Sequence, residues 1–250
     1  MRFLFLIVLT LLTFNSYCQK NVYTFNNGTF FSKDQINAYL SAGNKELPPT
    51  HELLPVIYHK AIIKDSIVNY LSFNVSNKTS TKQSSSSEFI YKQDSLYLLL
   101  NRPLPAFKLN DLNGKEISSE DLLGKPTLIN FWAINCAPCI EEMPQLSRLK
   151  ERYKDKMNFI SITHDSKTRN NLVKFLEDKD FNFQVLELGE LYEKELKIGA
   201  IPKNLFLDRK GVLRYIQSNY PLQRKSEVIE IIDIDDKDNY FTKIINELIR

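Results

Sequence analysis

The chain reads as an α/β layered domain preceded by a smaller α+β unit, on three observations. From Ala106 onward, strand-like apolar runs alternate with helix-like segments, the order expected of a sheet covered by helices. The run Thr127 to Ala133 is almost continuously apolar, as a strand buried on both faces requires. The length of 250 residues, 43% of them hydrophobic, exceeds one domain of about 100 to 150 residues and leaves roughly 80 to 100 for an appendage.

Met1-Arg2, the apolar run Phe3 to Phe14 and Asn15-Ser-Tyr-Cys-Gln19 form the charged, apolar and small-residue zones of an export signal over 1–18. The run is short for a bilayer span, which needs about 20 apolar residues. Cleavage after Cys18 fits the small residues Ser16 and Cys18. Lipidation of Cys18 is the competing reading, against which Tyr17 stands, and an uncleaved anchor is the third.

Residues 19–100 form the appendage. Ser32 caps a helix with Ile36, Tyr39 and Leu40 on one face, ending near Gly43. After breaks at Pro48-Pro49 and Pro55, Ala61 to Val75 reads as a small hairpin turning at Lys64-Asp65-Ser66. The Ser/Thr/Lys-rich stretch 76–88 is an exposed loop or linker, and Glu88 to Leu100 turns apolar again. Aromatic residues across the appendage supply a small core or, alternatively, a partner-binding face.

The α/β domain occupies 101–250, entered through Arg102-Pro-Leu-Pro105. Asn113-Gly114 turns a hairpin between Phe107-Lys-Leu and Lys115-Glu-Ile, and Ser118 to Leu123 is a short helix closed by Gly124. Strands follow at 127–133, 157–163 and 183–186, with helices at 137–153, kinked at Pro144, and at 167–179. A helical turn at 191–196 precedes Ile201-Pro202. A hairpin at 204–207 and 212–217 turns around Asp208-Arg-Lys-Gly211, and an amphipathic helix closes the chain from Asn239 to Arg250.

The first strand runs straight into Cys136-Ala-Pro-Cys139 at the start of a helix. Unpaired N–H groups and the dipole of a helix N-terminus stabilise a thiolate there, so the spacing points to dithiol redox chemistry. Outside the signal these are the only cysteines, which excludes a framework of several structural bridges. A bridge across two residues gains little as a brace, and a zinc site would need two further ligands that His51, His59 and His164 do not supply at matching spacing. With 33 basic and 30 acidic side chains spread along the chain, nothing marks a nucleic-acid partner.

These residues resemble the TlpA/ResA-like envelope thioredoxins, a branch of the thioredoxin superfamily. The resemblance covers about residues 103 to 218. It rests on Pro105-Ala-Phe-Lys-Leu, Leu122-Leu-Gly-Lys-Pro-Thr-Leu-Ile-Asn-Phe-Trp-Ala133, the Cys136 pair, Glu141-Glu-Met-Pro-Gln-Leu146, Ile201-Pro202 and Phe206-Leu-Asp-Arg-Lys-Gly211. It implies a thioredoxin fold, a central mixed β-sheet flanked by helices, with the appendage added N-terminally.

By the same resemblance, Cys136 attacks, Cys139 resolves, and Pro202 is a cis-proline presenting the backbone of Ile201 to substrate. Glu142 exchanges the resolving thiol's proton, since Asn130 stands where general thioredoxins carry an Asp. Trp132, Ala137, Pro138, Ile201 and Pro202 form the substrate-contacting set, although Trp132 also reads as core. Asn135 replaces a usual Trp before the pair, and Lys203 replaces a usual Thr after the proline. Lys203 either lowers the Cys136 pKa, steers acidic partners or faces solvent.

The implied protein is a thiol-disulfide oxidoreductase of the periplasm or cell envelope after Sec-type export, working without a cofactor. It reduces protein disulfides, is recharged by a membrane electron donor of the DsbD or CcdA type, and serves cytochrome c maturation. Membrane attachment follows only from lipidation of Cys18. A thiol peroxidase of the same fold is one alternative, although a Thr-x-x-Cys environment is absent. A non-catalytic envelope binding or assembly module is the other.

Overall fold

The computed structural model describes residues 20–78, 89–169, 171–225 and 228–250; the expected signal peptide with Cys18, and most of the polar stretch 76–88, lie outside them. The N-terminal unit starts with β1 (Lys20–Thr24) and α1 (Lys33–Glu46). Ser32 caps α1 through a reciprocal pair, its hydroxyl accepting from Gln35 N while Gln35 Oε1 accepts from Ser32 N. The helix passes beyond the expected end at Gly43. A Cβ at that position would run into Leu53, so glycine serves close packing here rather than termination.

The expected small hairpin is much longer, formed by β2 (His51–Ile63) and β3 (Ser66–Asn77) about a turn in which Lys64 adopts φ +56°. Pro55 does not break it. Pro55 pairs with Phe73 on one side, while on the other β4 (Ile90–Tyr91) reaches only Val56 and Ile57, so the missing N–H costs no ladder bond. The sheet order is β1-β3-β2-β4. Tyr23, Ile36, Leu40, Ile57 and Leu71 form its own core.

A 3₁₀ turn at Ser95–Leu99 leads to Asn101 and Arg102, which bond to the backbone of Leu213. The short hairpin of β5 (Lys108–Asn110) and β6 (Glu116–Ser118) follows. Then come β7 (Thr127–Trp132), α2 (Ala137–Tyr153), β8 (Asn158–Thr163), α3 (Leu172–Lys179), β9 (Gln184–Leu186) and α4 (Glu190–Glu195). The chain finishes with β10 (Lys203–Leu207), β11 (Leu213–Gln217), a hairpin of β12 (Leu222–Lys225) and β13 (Val228–Ile231) that the sequence pattern does not announce, and α5 (Tyr240–Leu248). α2 has its expected bounds and stays helical through Pro144, whereas α3 begins later than expected.

The main sheet has the order β11-β10-β7-β8-β9, with β7, β8 and β9 parallel and β10 antiparallel to both β7 and β11. A βαβ half followed by a ββα half around a central β7 is the thioredoxin fold, here extended by α3 and β9. All six residues of β7 are buried. Its alternation sends Leu128 and Trp132 to the face covered by α2 and α5, and Ile129 and Phe131 to the opposite face. That second face is closed by α4 and by Val68, Tyr70, Leu96 and Leu100, so the N-terminal unit and the main sheet share one apolar layer.

Candidate active site

The site forms where β7 stops. After Trp132 the chain turns through Ala133, Ile134 and Asn135, and Cys136 becomes the N-cap of α2, with extended dihedrals (φ −97°, ψ 95°) and its carbonyl accepting from Ile140 N. Pro138 falls in the first turn, where no helical N–H is needed. The turn is fixed from β8: Asp165 Oδ2 accepts from Ile134 N at 2.8 Å and from Thr163 Oγ1 at 3.1 Å. Asp165 escaped the sequence reading, its only signal being its place just past the end of β8.

Cys136 and Cys139 form a disulfide with Cα atoms 5.3 Å apart. They are not equivalent: Cys136 is half-buried, whereas Cys139 is 0% exposed within the apolar cluster of the α2 face. Only the first sulfur is open to an incoming partner. Ala137 and Pro138 are exposed beside it, as is Asn135.

One turn beyond Cys139 on α2 lies Glu142, 3% exposed. Asn130 Nδ2 of β7 donates to Glu142 Oε1 at 2.8 Å, Asn204 Nδ2 of β10 donates to the same oxygen at 3.3 Å, and Tyr220 N donates to Oε2 at 2.8 Å. Asn130 and Asn204 are direct cross-strand partners, and Asn130 Nδ2 also donates to Asn204 Oδ1 at 3.0 Å. Burial raises the Glu142 pKa to about 8, outweighing the three donors that favour the anion. The sequence pointed to Glu142. Asn204 was missed because its role depends on strand register, and Tyr220 because it acts through its backbone N–H from the segment between β11 and β12.

Ile201-Pro202 is a cis peptide directly before β10. Pro202 is buried, and Ile201 is half-buried against the apolar clusters of both sheet faces. Lys203 is half-buried, its Nζ donating to Ser218 Oγ at 3.1 Å, and burial lowers its pKa. Trp132 requires a correction. It is 0% exposed, with ring centroids 5.8 Å from Phe175 and 6.0 Å from Phe181, so its indole is core and not a contact for substrate. Of the histidines, His51 bonds Thr50, His59 lies beside Tyr70 and Tyr97, and His164 pairs with Glu193.

The AhpC/TSA family model matches residues 100–216. Thiol-disulfide oxidoreductase ResA of Bacillus cereus is 30% identical over 119 residues, covering 47% of this chain and 69% of the relative. The chain belongs to the TlpA/ResA-like thiol-disulfide oxidoreductases. Thioredoxin-like protein YneN of Bacillus subtilis (strain 168) is 29% identical over 147 residues, or 58% of this chain and 85% of that protein. A solved structure titled a putative thiol:disulfide interchange protein DsbE from Chlorobium tepidum covers 59% of this chain and 96% of its own, with TM-score 0.49 and 19% identity. This TlpA/ResA-like protein is thus an enzyme of thiol-disulfide exchange, and its candidate redox pair is Cys136–Cys139.

Proposed function

We propose that this protein is an exported reductant of protein disulfides. The observation that carries the reading is the asymmetry of the pair: an accessible Cys136 at the helix N-terminus and a fully buried Cys139 one turn before a caged carboxyl whose pKa is about 8. In the dithiol form, the Cys136 thiolate attacks one sulfur of a substrate disulfide, forming a mixed disulfide and expelling the other substrate sulfur as a thiolate. Cys139 then loses its proton to Glu142 and attacks Cys136 Sγ, releasing the second substrate thiolate. Two electrons have passed to the substrate, and the enzyme is left with the Cys136–Cys139 disulfide.

A membrane dithiol donor of the DsbD or CcdA type restores the pair, in the periplasm or cell envelope after Sec-type export, with cytochrome c maturation as the physiological outlet. Ala137, Pro138, Ile201 and Pro202 receive the substrate. Residues 101–250 are taken as the catalytic domain and 19–100 as its appendage. Membrane attachment accompanies lipidation of Cys18 and not simple cleavage.

The deciding measurement is the reduction potential of the couple in the mature protein, followed by thiol alkylation against a redox buffer. A value near or below about −250 mV is expected, whereas about −120 to −180 mV would mark an oxidant or isomerase instead. Cys139→Ser should trap mixed disulfides and Cys136→Ser should abolish turnover. The AhpC/TSA match keeps a thiol peroxidase as the second reading. A direct peroxide-consumption assay separates it, the reductant reading requiring no turnover of peroxide.

A further inference from the structure

Past the cis-proline, a groove of about 650 Å³ opens between the main sheet and the N-terminal unit. Gly199 and Ala200, immediately before Ile201-Pro202 in the chain, and Lys203, immediately after it, line the groove. Phe25, Tyr58 and Tyr97 of the N-terminal unit line it as well. The main sheet and the N-terminal unit are tied together here, since Gln217 of β11 donates through Nε2 to the backbone carbonyls of Phe25 and Asn26.

Among the described residues, the only charged ones lining this groove are Lys203 and Asp94. Asp94 is already engaged, its Oδ1 accepting from Leu96 N at 2.9 Å as the cap of the 3₁₀ turn. Lys203 is half-buried with one hydrogen bond, to Ser218 Oγ, and among the described residues it makes no ion pair within 4.0 Å. An ammonium carries three donors, and a partly desolvated cation without a counter-charge is costly. Its pKa is lowered by burial and only partly restored by the more distant Asp94. A site that holds a cation in this condition favours an incoming anion.

We propose that this groove seats an extended segment of the substrate protein carrying an Asp or Glu about two residues from the target cysteine, paired with Lys203. The proposal rests on the disulfide-reductase reading and adds to it the substrate's chemistry and a role for the N-terminal unit. The spacing follows from the order of the chain: Lys203, the first residue of β10, stands two residues after Ile201, so a substrate strand seated on the Ile201 backbone brings a side chain about two residues from its cysteine toward Lys203. The carboxylate takes the two free ammonium donors, while the apolar parts of the segment lie against Tyr58, Tyr97 and Phe25. The N-terminal unit, through Phe25, Tyr58 and Tyr97, therefore forms part of the substrate site.

The test uses the mature full-length chain in its dithiol form and two synthetic peptides of identical sequence, each closed by one disulfide, with Glu or Gln two residues from the cysteine. The wild-type protein should reduce the Glu peptide with a kcat/KM about tenfold above that of the Gln peptide, the gain expected of a charge-assisted hydrogen bond. Lys203→Gln should bring this ratio to about one, and Lys203→Glu should invert it. Asp94→Asn, which retains a capping side chain, should raise it. Equal rates for the two peptides with the wild-type protein, or a ratio unmoved by Lys203→Gln, would overturn the proposal. Reduction of insulin by the wild-type protein reports separately on the underlying activity: insulin turnover with equal peptide rates removes the anion site alone, and no turnover of any disulfide removes both.

Discussion

Glu142 receives hydrogen bonds from Asn130, Asn204 and Tyr220 N, all of them donors, and still has its pKa raised to about 8 by burial. Near neutral pH both of its forms are therefore accessible, as a group that takes a proton and later returns it requires. Replacing Glu142 by Gln should slow release of the mixed disulfide at pH 7 by about 10²-fold, with an inflection near pH 8 in the wild-type rate that is lost in the variant; stopped-flow kinetics reads both. Removing a donor with Asn204→Leu should move that inflection upward. Stability follows the same titration. Between its ordinary 4.5 and about 8, the folded chain holds a proton on Glu142 that the unfolded chain has released. This contribution is therefore complete below pH 4.5 and is lost as pH rises through 8. Calorimetry should show Tm falling from pH 5 to pH 9 more steeply for the wild type than for Glu142→Gln, and parallel slopes would mean that the carboxyl is ionised throughout.

At the level of elements, the site depends on how strands and helices meet, and this is where sequence and structure part. α2 was legible to the residue because a buried strand runs straight into it and periodic Met143, Leu146 and Leu149 indicate one face. The cage around Glu142 was half legible. Asn130 lies in a recognisable strand, but its partner Asn204 is 74 residues away and is matched to it only by the β7–β10 register. Trp132 was placed in the substrate-contacting set although the sequence also reads it as core, and strand alternation turns it inward. The β12–β13 hairpin was missed, its Leu222-Gln-Arg-Lys and Val228-Ile-Glu-Ile segments being short and only partly alternating. Gly189, which caps α4, shows a packing constraint that no pattern announces: a Cβ there would overlap Ile162 Cγ2, a stiff branched side chain in β8 that is 0% exposed. Gly189→Ala should accordingly destabilise the fold by about 1–3 kcal/mol in denaturant unfolding, Ala being also the poorer N-cap. A neutral or stabilising change would show that β8 yields there.

For the molecule as a whole, the joint between the N-terminal unit and the main sheet decides whether the appendage is a passenger. Val68 and Tyr70 of β3 and Leu96 and Leu100 of the connecting segment lie in the same buried cluster as Ile129 and Phe131 of β7 and Leu205 of β10. Asn101 and Arg102 add backbone bonds to Leu213 in β11, so the entry to the α/β domain is built into the main sheet's edge. Burial shared across a joint couples the unfolding of its two sides, because neither can open without exposing the other's apolar face. The mature chain should therefore melt in one calorimetric transition. Leu96 tests this directly: it belongs to the connecting segment, is 1% exposed and sits in the cluster on the sheet face away from the redox pair's own. Leu96→Ala should cost about 2–5 kcal/mol and lower that single transition as a whole. If instead the variant resolves two transitions, with only the first displaced, the units are energetically separate, and the groove residues of the N-terminal unit would be free to move away from Lys203.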